Sequence, residues 1–561
     1  MVDASDGTKR VAGVIPFAQA EILRRDMNRL SGGQLLKRII DDKNSRQLIQ
    51  GLAIQDFYWI MKKIGEEDAL PILAMSSLEQ WQYVMDLEIW ERDRMDEDKT
   101  AQWLKRLVEA DSQKTAAWLI TEEYLIYHFL ATQVETEARN FDDEDAPKEG
   151  YFTLDGLFFI KVKDEGKREL IEELLHALYA VDPTVYGSIV MGIAGAVPAE
   201  IEEELYRLRN VRLAEQGFLS FEEALILYAP LDPSVLLKPD PALSVEPGPF
   251  DEGVKTPVIP LFHSPSDTFF THLLGRINEK DKLERIGLEF AGLVNRIMAA
   301  DGMKTPDYET LAAISRRLSG YVGIALEKAT AGKEDRALAI LSGHTLERLF
   351  RVGFGYAVDL RGKFMRWLSG SWFRRRGFTM TFWGDRWAPV LTGLMQQRPR
   401  YWSGDESAAY RDFERAAEID NADMLFQGIA GLDGILEKIA RESRVEEIKA
   451  IDPEATFLPF LFTFWANVIL DKDHGFVGLN PVEARRFFSV LRSGENAPPY
   501  RMEKYRRTFI EEFSRLTPSS PALEDLLGDL WREFREEYES IGPDDLHGRF
   551  SRHIIIDDEN S

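Results

Sequence analysis

Asp96-Glu-Asp-Lys-Thr100-Ala-Gln-Trp-Leu104 returns fifteen residues later as Asp111-Ser-Gln-Lys-Thr115-Ala-Ala-Trp-Leu119. Each copy opens with an Asp, whose carboxylate accepts hydrogen bonds from the free N–H groups at the start of a helix. Each closes on a Trp–Leu pair placed on that helix's apolar stripe. Just upstream, Ser77-x-x-Gln80 forms a capping box ahead of Trp81, Met85 and Ile89. Gly65 followed by Glu66-Glu67-Asp68 marks one helix ending and another beginning with acidic residues. Trp59, Trp81, Trp90, Trp103 and Trp118, five of the 12 tryptophans, lie in this stretch. Short helices stacked by aromatic faces make a helical array. The echo has two copies and is shorter than a tetratricopeptide or HEAT unit, so an irregular superhelix is expected rather than a regular solenoid.

Outward from this stretch the chain divides by composition. Residues 1–16 read as a loose leader and 17–229 as the helical array. Ile22, Met27, Leu30, Leu35, Leu36 and Ile39 suggest one or two helices broken at Ser31-Gly32-Gly33. Asp142 to Glu149 is a charged loop. Tyr151-Phe-Thr-Leu-Asp155-Gly156-Leu-Phe-Phe-Ile-Lys-Val-Lys163 sets an Asp-Gly turn between aromatic and β-branched arms, a hairpin signal over 151–163. Helical periodicity resumes from Lys167 to Leu227, punctuated by Asp182-Pro183, Pro198, Gly217 and a second capping box, Ser220-x-x-Glu223. Pro230, Pro233, Pro239, Pro241, Pro247, Pro249, Pro257, Pro260 and Pro265 then crowd into 230–266. That density disfavours helix and predicts an extended polyproline II connector. Helical regions follow at 267–440 and 441–540, with a polar tail at 541–561. The expected fold class is predominantly all-α: a helical array with one small β-hairpin, then a helical C-terminal region.

At 561 residues the chain exceeds what a single core organises, so several domains are expected. A 44% hydrophobic and 11% aromatic content supplies those cores. The net charge of −26 argues against a general nucleic-acid coat or anionic membrane surface, both of which need a basic face. With no cysteine, disulfides, Cys-ligated zinc or iron–sulfur sites and thiol catalysis are excluded. Met1 to Arg10 lacks an apolar signal core. The most apolar run, Phe457 to Leu470, carries Pro459 and Asn467 and is too short to span a hydrocarbon layer of ~30 Å. A cytoplasmic chain without a membrane span is expected.

Catalytic signatures are missing: there is no phosphate-binding G-x-x-x-x-G-K-[ST] loop, no H-E-x-x-H and no G-x-S-x-G elbow. Gly353-Phe-Gly355 follows a helical pattern and reads as a close helix contact rather than a dinucleotide loop. Asp471-Lys-Asp-His-Gly475 departs from a calcium loop, with Gly475, Phe476 and Val482 at positions that need a ligand, a glycine and a Glu. A helix end capped by Gly475 is expected there. His128 reads as a core or boundary helix residue and His344 as a helix-start residue. No catalytic, cofactor or metal residues are assigned. One segment departs from the acidic average: 361–402 carries nine cationic side chains against Asp385 alone, a local excess of +8, interleaved with aromatics. Its candidate interaction patch is Arg366, Trp367, Trp372, Arg374, Arg375, Arg376, Trp383, Arg386 and Trp387. Arginines beside aromatics suit a protein hot spot and suit phosphate or base recognition. They equally suit a core whose arginines pair with acids from elsewhere in the chain.

Over Gln55–Leu130, short helices with acidic caps before leucine-rich faces resemble the N-terminal cytosolic superhelix of MgtE-type magnesium transporters, without the transporter's membrane helices. Taken whole, with Glu79-Gln-Trp81-Gln-Tyr83 and Gly217-Phe-Leu-Ser-Phe-Glu-Glu-Ala224, the chain is identified as a member of an uncharacterised bacterial family known only as a domain of unknown function. That resemblance implies a bacterial cytoplasmic setting and no activity. The expected function is an interaction or scaffold role on helical surfaces, with another protein as partner. The alternatives are a regulatory module that binds an anionic ligand, nucleotide or nucleic acid, through 361–402, and an enzyme using helix-borne carboxylates.

Overall fold

The computed structural model describes residues 26–541 and 552–556, apart from 28, 92, 140–148, 244–256, 258, 263–267, 303–305, 405–409, 441–444, 446–454, 473–476, 496, 497 and 519. The fold is predominantly all-α, and its described strands form three small antiparallel sheets. The chain resolves into two compact units, Met1–Val352 and Gly353–Ser561.

In the first unit the echoed stretch folds as its residues dictate. Helix Glu97–Thr121 is two helices joined at Asp111, whose backbone is extended (φ −168°, ψ 97°). The Asp96 carboxylate accepts the N–H groups of Asp98 and Lys99, and that of Asp111 accepts Lys114 N–H at 3.0 Å. The Thr100 and Thr115 hydroxyls donate back to the carbonyls of Asp96 and Asp111 at 2.7 and 2.8 Å. Trp103, Leu104, Trp118 and Leu119 are all buried, and Trp118 stands edge-on to Trp81 at 6.2 Å. The Ser77 capping box opens helix Leu78–Glu88, and Gly65, at φ 100°, ends helix Ile54–Ile64. The acidic trio 66–68 lies in the turn before helix Leu70–Met75.

The hairpin forms, with Tyr151 opposite Lys161 and Phe152 opposite Ile160. Its turn spans 153–157: Gly156 takes φ 74°, and the Asp155 carboxylate accepts Leu157 and Phe158 N–H. A third strand, Val134–Ala138, pairs along the other edge of Phe158–Val162, so the hairpin expected alone is a three-stranded sheet. Helices Arg168–Val181, Pro183–Ile193 and Pro198–Glu215 follow, the last two opened by proline where no intrahelical N–H is needed. Gly217 (φ 84°) lies so close to helix Lys280–Ala300 that a Cβ on it would sit 2.8 Å from Gly292 Cα.

The described part of the proline-rich stretch departs from an extended connector; Pro247, Pro249 and Pro265 lie outside the described residues. Pro233–Leu237 and Pro241–Leu243 are short 3-10 turns and Ile259–Phe262 a short helix, with proline tolerated in a first turn. Asp240 ties this stretch down by accepting from Ala242 N–H, from Thr345 N–H and hydroxyl, and from Arg348. His344, just ahead of helix Leu346–Gly370, bonds Leu236 O through its ring nitrogen at 3.2 Å. The division between units falls inside that helix, at Val352, rather than within 230–266. His128 is buried in helix Glu123–Gln133, as expected.

The second unit packs around Phe457–Ile469. Phe460, Leu461, Phe462 and Trp465 of this helix are fully buried, with Phe487, Phe509, Trp531 and Phe534 around Trp465. Among the described residues no helix is long and apolar enough to cross a membrane. The segment expected as a polar tail contributes to this core: His553 and Ile554 are buried, and Ile556 bridges Leu479. The leader, most of the 142–149 loop and Asp473–Gly475 lie outside the described residues.

Candidate functional site

The basic-aromatic stretch 361–402 is core on its aromatic side. Trp372 is 2% exposed, Trp383 1%, and Trp387 is likewise buried. Half-buried Trp367 stacks on Phe373 at 5.6 Å. The buried Asp433 carboxylate accepts Trp372 and Phe373 N–H at 2.8 and 3.0 Å, and burial pushes its pKa up to about 6. The arginines find acids: Arg375 meets Glu437 at 2.5 Å and Arg386 meets Asp529 at 2.9 Å. Arg366 and Arg374 are exposed and Arg376 is half-buried. An exposed, contiguous arginine–tryptophan face is therefore not formed. Each buried aromatic gains ~1.5–3 kcal/mol by leaving water, more than a surface position offers, and an acidic chain supplies partners for the arginines.

Trp383, Arg386 and Trp387 do meet, at a cavity of about 730 Å³ beside Thr456 and Phe457. Its charges are mixed. Arg386 and Arg532 both contact Asp529, and Asp385, Glu533, Glu536 and Arg552 also line it.

The larger concavity is in the first unit, along helix Pro198–Glu215, of which only Leu205 and Leu213 are buried. A cleft of about 980 Å³ opens there. Leu87, Trp90, Tyr206, Leu213, Phe218 and Met298 give it an apolar wall, and Phe221, 51% exposed, stands at its edge. Asp93, Glu222 and Glu223 supply acid and Arg209 the opposing cation. Leu225 and Ile226 extend the exposed apolar surface next to Phe221. The Ser220 capping box shapes this edge by starting the one-turn helix Phe221–Ala224.

Arg209 and Arg212 anchor the helix. Arg212 forms two 2.7 Å bonds with the buried Asp86 carboxylate, and Arg209 Nε donates to Asp86 O at 2.6 Å. A second pocket, about 510 Å³, lies on the adjacent face of the helix and shares Leu213 with the cleft. There Glu122 sits 3.6 Å from Arg212, and burial raises its pKa. No group of His, Asp and Glu suited to hold a metal occurs among the described residues.

Sequence reading missed both concavities because their residues come from separated helices. The visible local trace was Gly217-Phe-Leu-Ser-Phe-Glu-Glu-Ala224, whose aromatics flank a capping box and leave Phe221 beside the solvent. No curated protein and no solved structure matches this chain. A family model described as "Family of unknown function (DUF6178)" matches residues 17–557, nearly the whole chain across both units. The chain belongs to the DUF6178 family.

Proposed function

We propose that this protein is an interaction protein whose cleft along helix Pro198–Glu215 receives an amphipathic, basic segment of a partner protein. The observation that carries the reading is one cleft of about 980 Å³ combining an apolar wall, an exposed Phe221 and three rim carboxylates. An amphipathic helix laid in a groove uses its apolar face for affinity and its flanking charges for orientation. The neighbouring surface of the same helix adds Glu200 and Glu203, while Glu204 is paired with Arg207, so the surplus is acidic and a cationic segment is favoured over an acidic one. A chain of −26 without cysteine fits a reducing cytoplasmic setting, which is part of the proposal.

A defined probe tests it. Fluorescence anisotropy measures binding of a labelled Lys/Leu amphipathic helical peptide and of its Glu/Leu counterpart to the full chain. The Lys/Leu peptide is expected to bind, and Phe221→Asp combined with Glu222→Lys and Glu223→Lys to weaken it at least ~10-fold, about 1.4 kcal/mol. Equal binding of both peptides, or indifference to the triple variant, refutes the reading.

A further inference from the structure

We infer that the 510 Å³ pocket beside Arg212 is a binding site for a small organic cation, a primary amine or polyamine. Its polar lining is anionic in excess: Glu79, Asp86, Glu122 and Glu215 face Arg212 as the single cationic side chain. That cation is already engaged. Its Nε and one terminal nitrogen hold Asp86 at 2.7 Å, leaving only the longer 3.6 Å approach for Glu122. Glu122 is thus a partly buried carboxylate whose cationic neighbour is shared with Asp86 and stands at 3.6 Å, and burial makes its charged form costly. An ammonium group delivers up to three N–H donors to carboxylate oxygens and relieves that cost.

The rest of the lining suits the carbon chain of such a ligand. Ile54, Leu78 and Leu213 offer apolar surface to methylenes, in the way lysine stems lie along apolar walls. The amides are oriented in advance. Gln82 Oε1 accepts Trp118 Nε1–H at 3.1 Å while Gln82 Nε2 donates to Asp86, and Gln216 Oε1 accepts Gln55 Nε2–H. These bonds fix the Asp86 side of the floor and leave Glu122, Glu79 and Glu215 to meet a ligand. An anion is disfavoured by the sign of the lining. A metal ion fits less well, since no His, Asp and Glu group close enough to hold one occurs among the described residues.

Isothermal titration calorimetry of the full chain with putrescine and with spermidine tests the site, with glutarate as the anionic control. Saturable one-to-one binding of an amine is expected, with glutarate silent. Glu122→Gln, which keeps the shape and removes the charge, is expected to weaken the amine about tenfold. If circular dichroism shows that variant unfolded, the exposed pair Glu79→Gln with Glu215→Gln takes its place with the same expected direction. A remote pair on helix Arg168–Val181, the exposed Glu169→Gln with Glu173→Gln, is expected to leave the affinity unchanged. No saturable heat with either amine up to ~10 mM, a loss shared equally by the remote pair, or an affinity indifferent to the pocket variants overturns the assignment. The peptide experiment above reads Phe221 and the rim of the cleft, so the two proposals fail separately.

Discussion

His553 carries a sharp consequence for acid stability. It is 0% exposed, its ring lies 5.2 Å from Phe462, 5.6 Å from Phe534 and 5.6 Å from Tyr538, and neither ring nitrogen has a hydrogen-bond partner among the described residues. Burial, and secondly the adjacent Arg552 charge, push its pKa down from 6.5 to about 4. A folded-state pKa below the unfolded one means that the folded chain binds fewer protons between these values. The stability contribution is therefore present above pH 6.5 and lost as pH falls through 4. At 1.36 kcal/mol per pKa unit the full loss is ~3 kcal/mol, most of it gone by pH 4.5. The perturbation is His553→Phe, which keeps an aromatic ring in the cluster and removes both buried nitrogens. Urea unfolding of the full chain, followed by tryptophan fluorescence at pH 7.5 and 4.5, compares variant with wild type. Trp465 and Trp531, 5.3 Å apart in the same cluster, report on that core. Relative to wild type, the variant is expected to gain ~2–3 kcal/mol on acidification, because the other titrating groups cancel in the difference. Parallel pH profiles for the two proteins would refute the argument.

Asp433 works in the opposite direction: with its pKa raised to about 6 by burial, its contribution is present below 3.8 and lost as pH rises through 6. The Asp433→Asn difference profile should therefore slope oppositely to that of His553→Phe, by ~3 kcal/mol between pH 3.5 and 7.5 in the same unfolding assay. Removing Arg212 strands the buried Asp86 carboxylate, so Arg212→Leu is expected to cost ~3 kcal/mol in urea unfolding, and Asp86→Leu added to it to recover part of that loss. Gly217→Ala forces a side chain into a positive-φ position 2.8 Å from Gly292 Cα and should cost ~2 kcal/mol or more. Gly33→Ala, where nothing lies within 4 Å of the new Cβ, should be neutral or stabilising by up to ~1 kcal/mol, and thermal melting compares the pair.

What the sequence made legible was local chemistry. Ser77, Asp96, Asp111 and Ser220 each cap the helix start they mark, because a cap is a bond between residues two or three apart. The sites depended on distant partners. Strand Val134–Ala138 exists because Phe158–Val162 presents an edge to it, and its own five residues carry little strand signal. Prolines 233 and 241 suggested an extended tether, but Thr345 and Arg348, more than a hundred residues away, supply the bonds that fold the segment down. Trp372 and Trp383 suited a core and an exposed patch alike, because pattern alone does not say which side of an arginine–tryptophan run faces inward. Asp433 and Phe457 decide that, from other helices. The concavities along helix Pro198–Glu215 were hidden for a like reason: Glu122, Arg212 and Asp86 become neighbours only after three helices have packed.

The extended residue at Asp111 has a further meaning for chain length. Since both fifteen-residue segments carry their own start signal and their own Trp–Leu anchor, the bent pair of helices they form is measured in whole segments. Inserting one complete copy would add a helical segment roughly 20 Å long, at 1.5 Å of rise per residue, with its own cap and its own Trp–Leu anchor. An insertion of one or two residues inside a segment would instead turn Trp118 about the helix axis by ~100° per residue, away from Trp81 and Gln82. Growth of this array by duplication is thus compatible with its packing, whereas growth by small insertions belongs in the turns between helices.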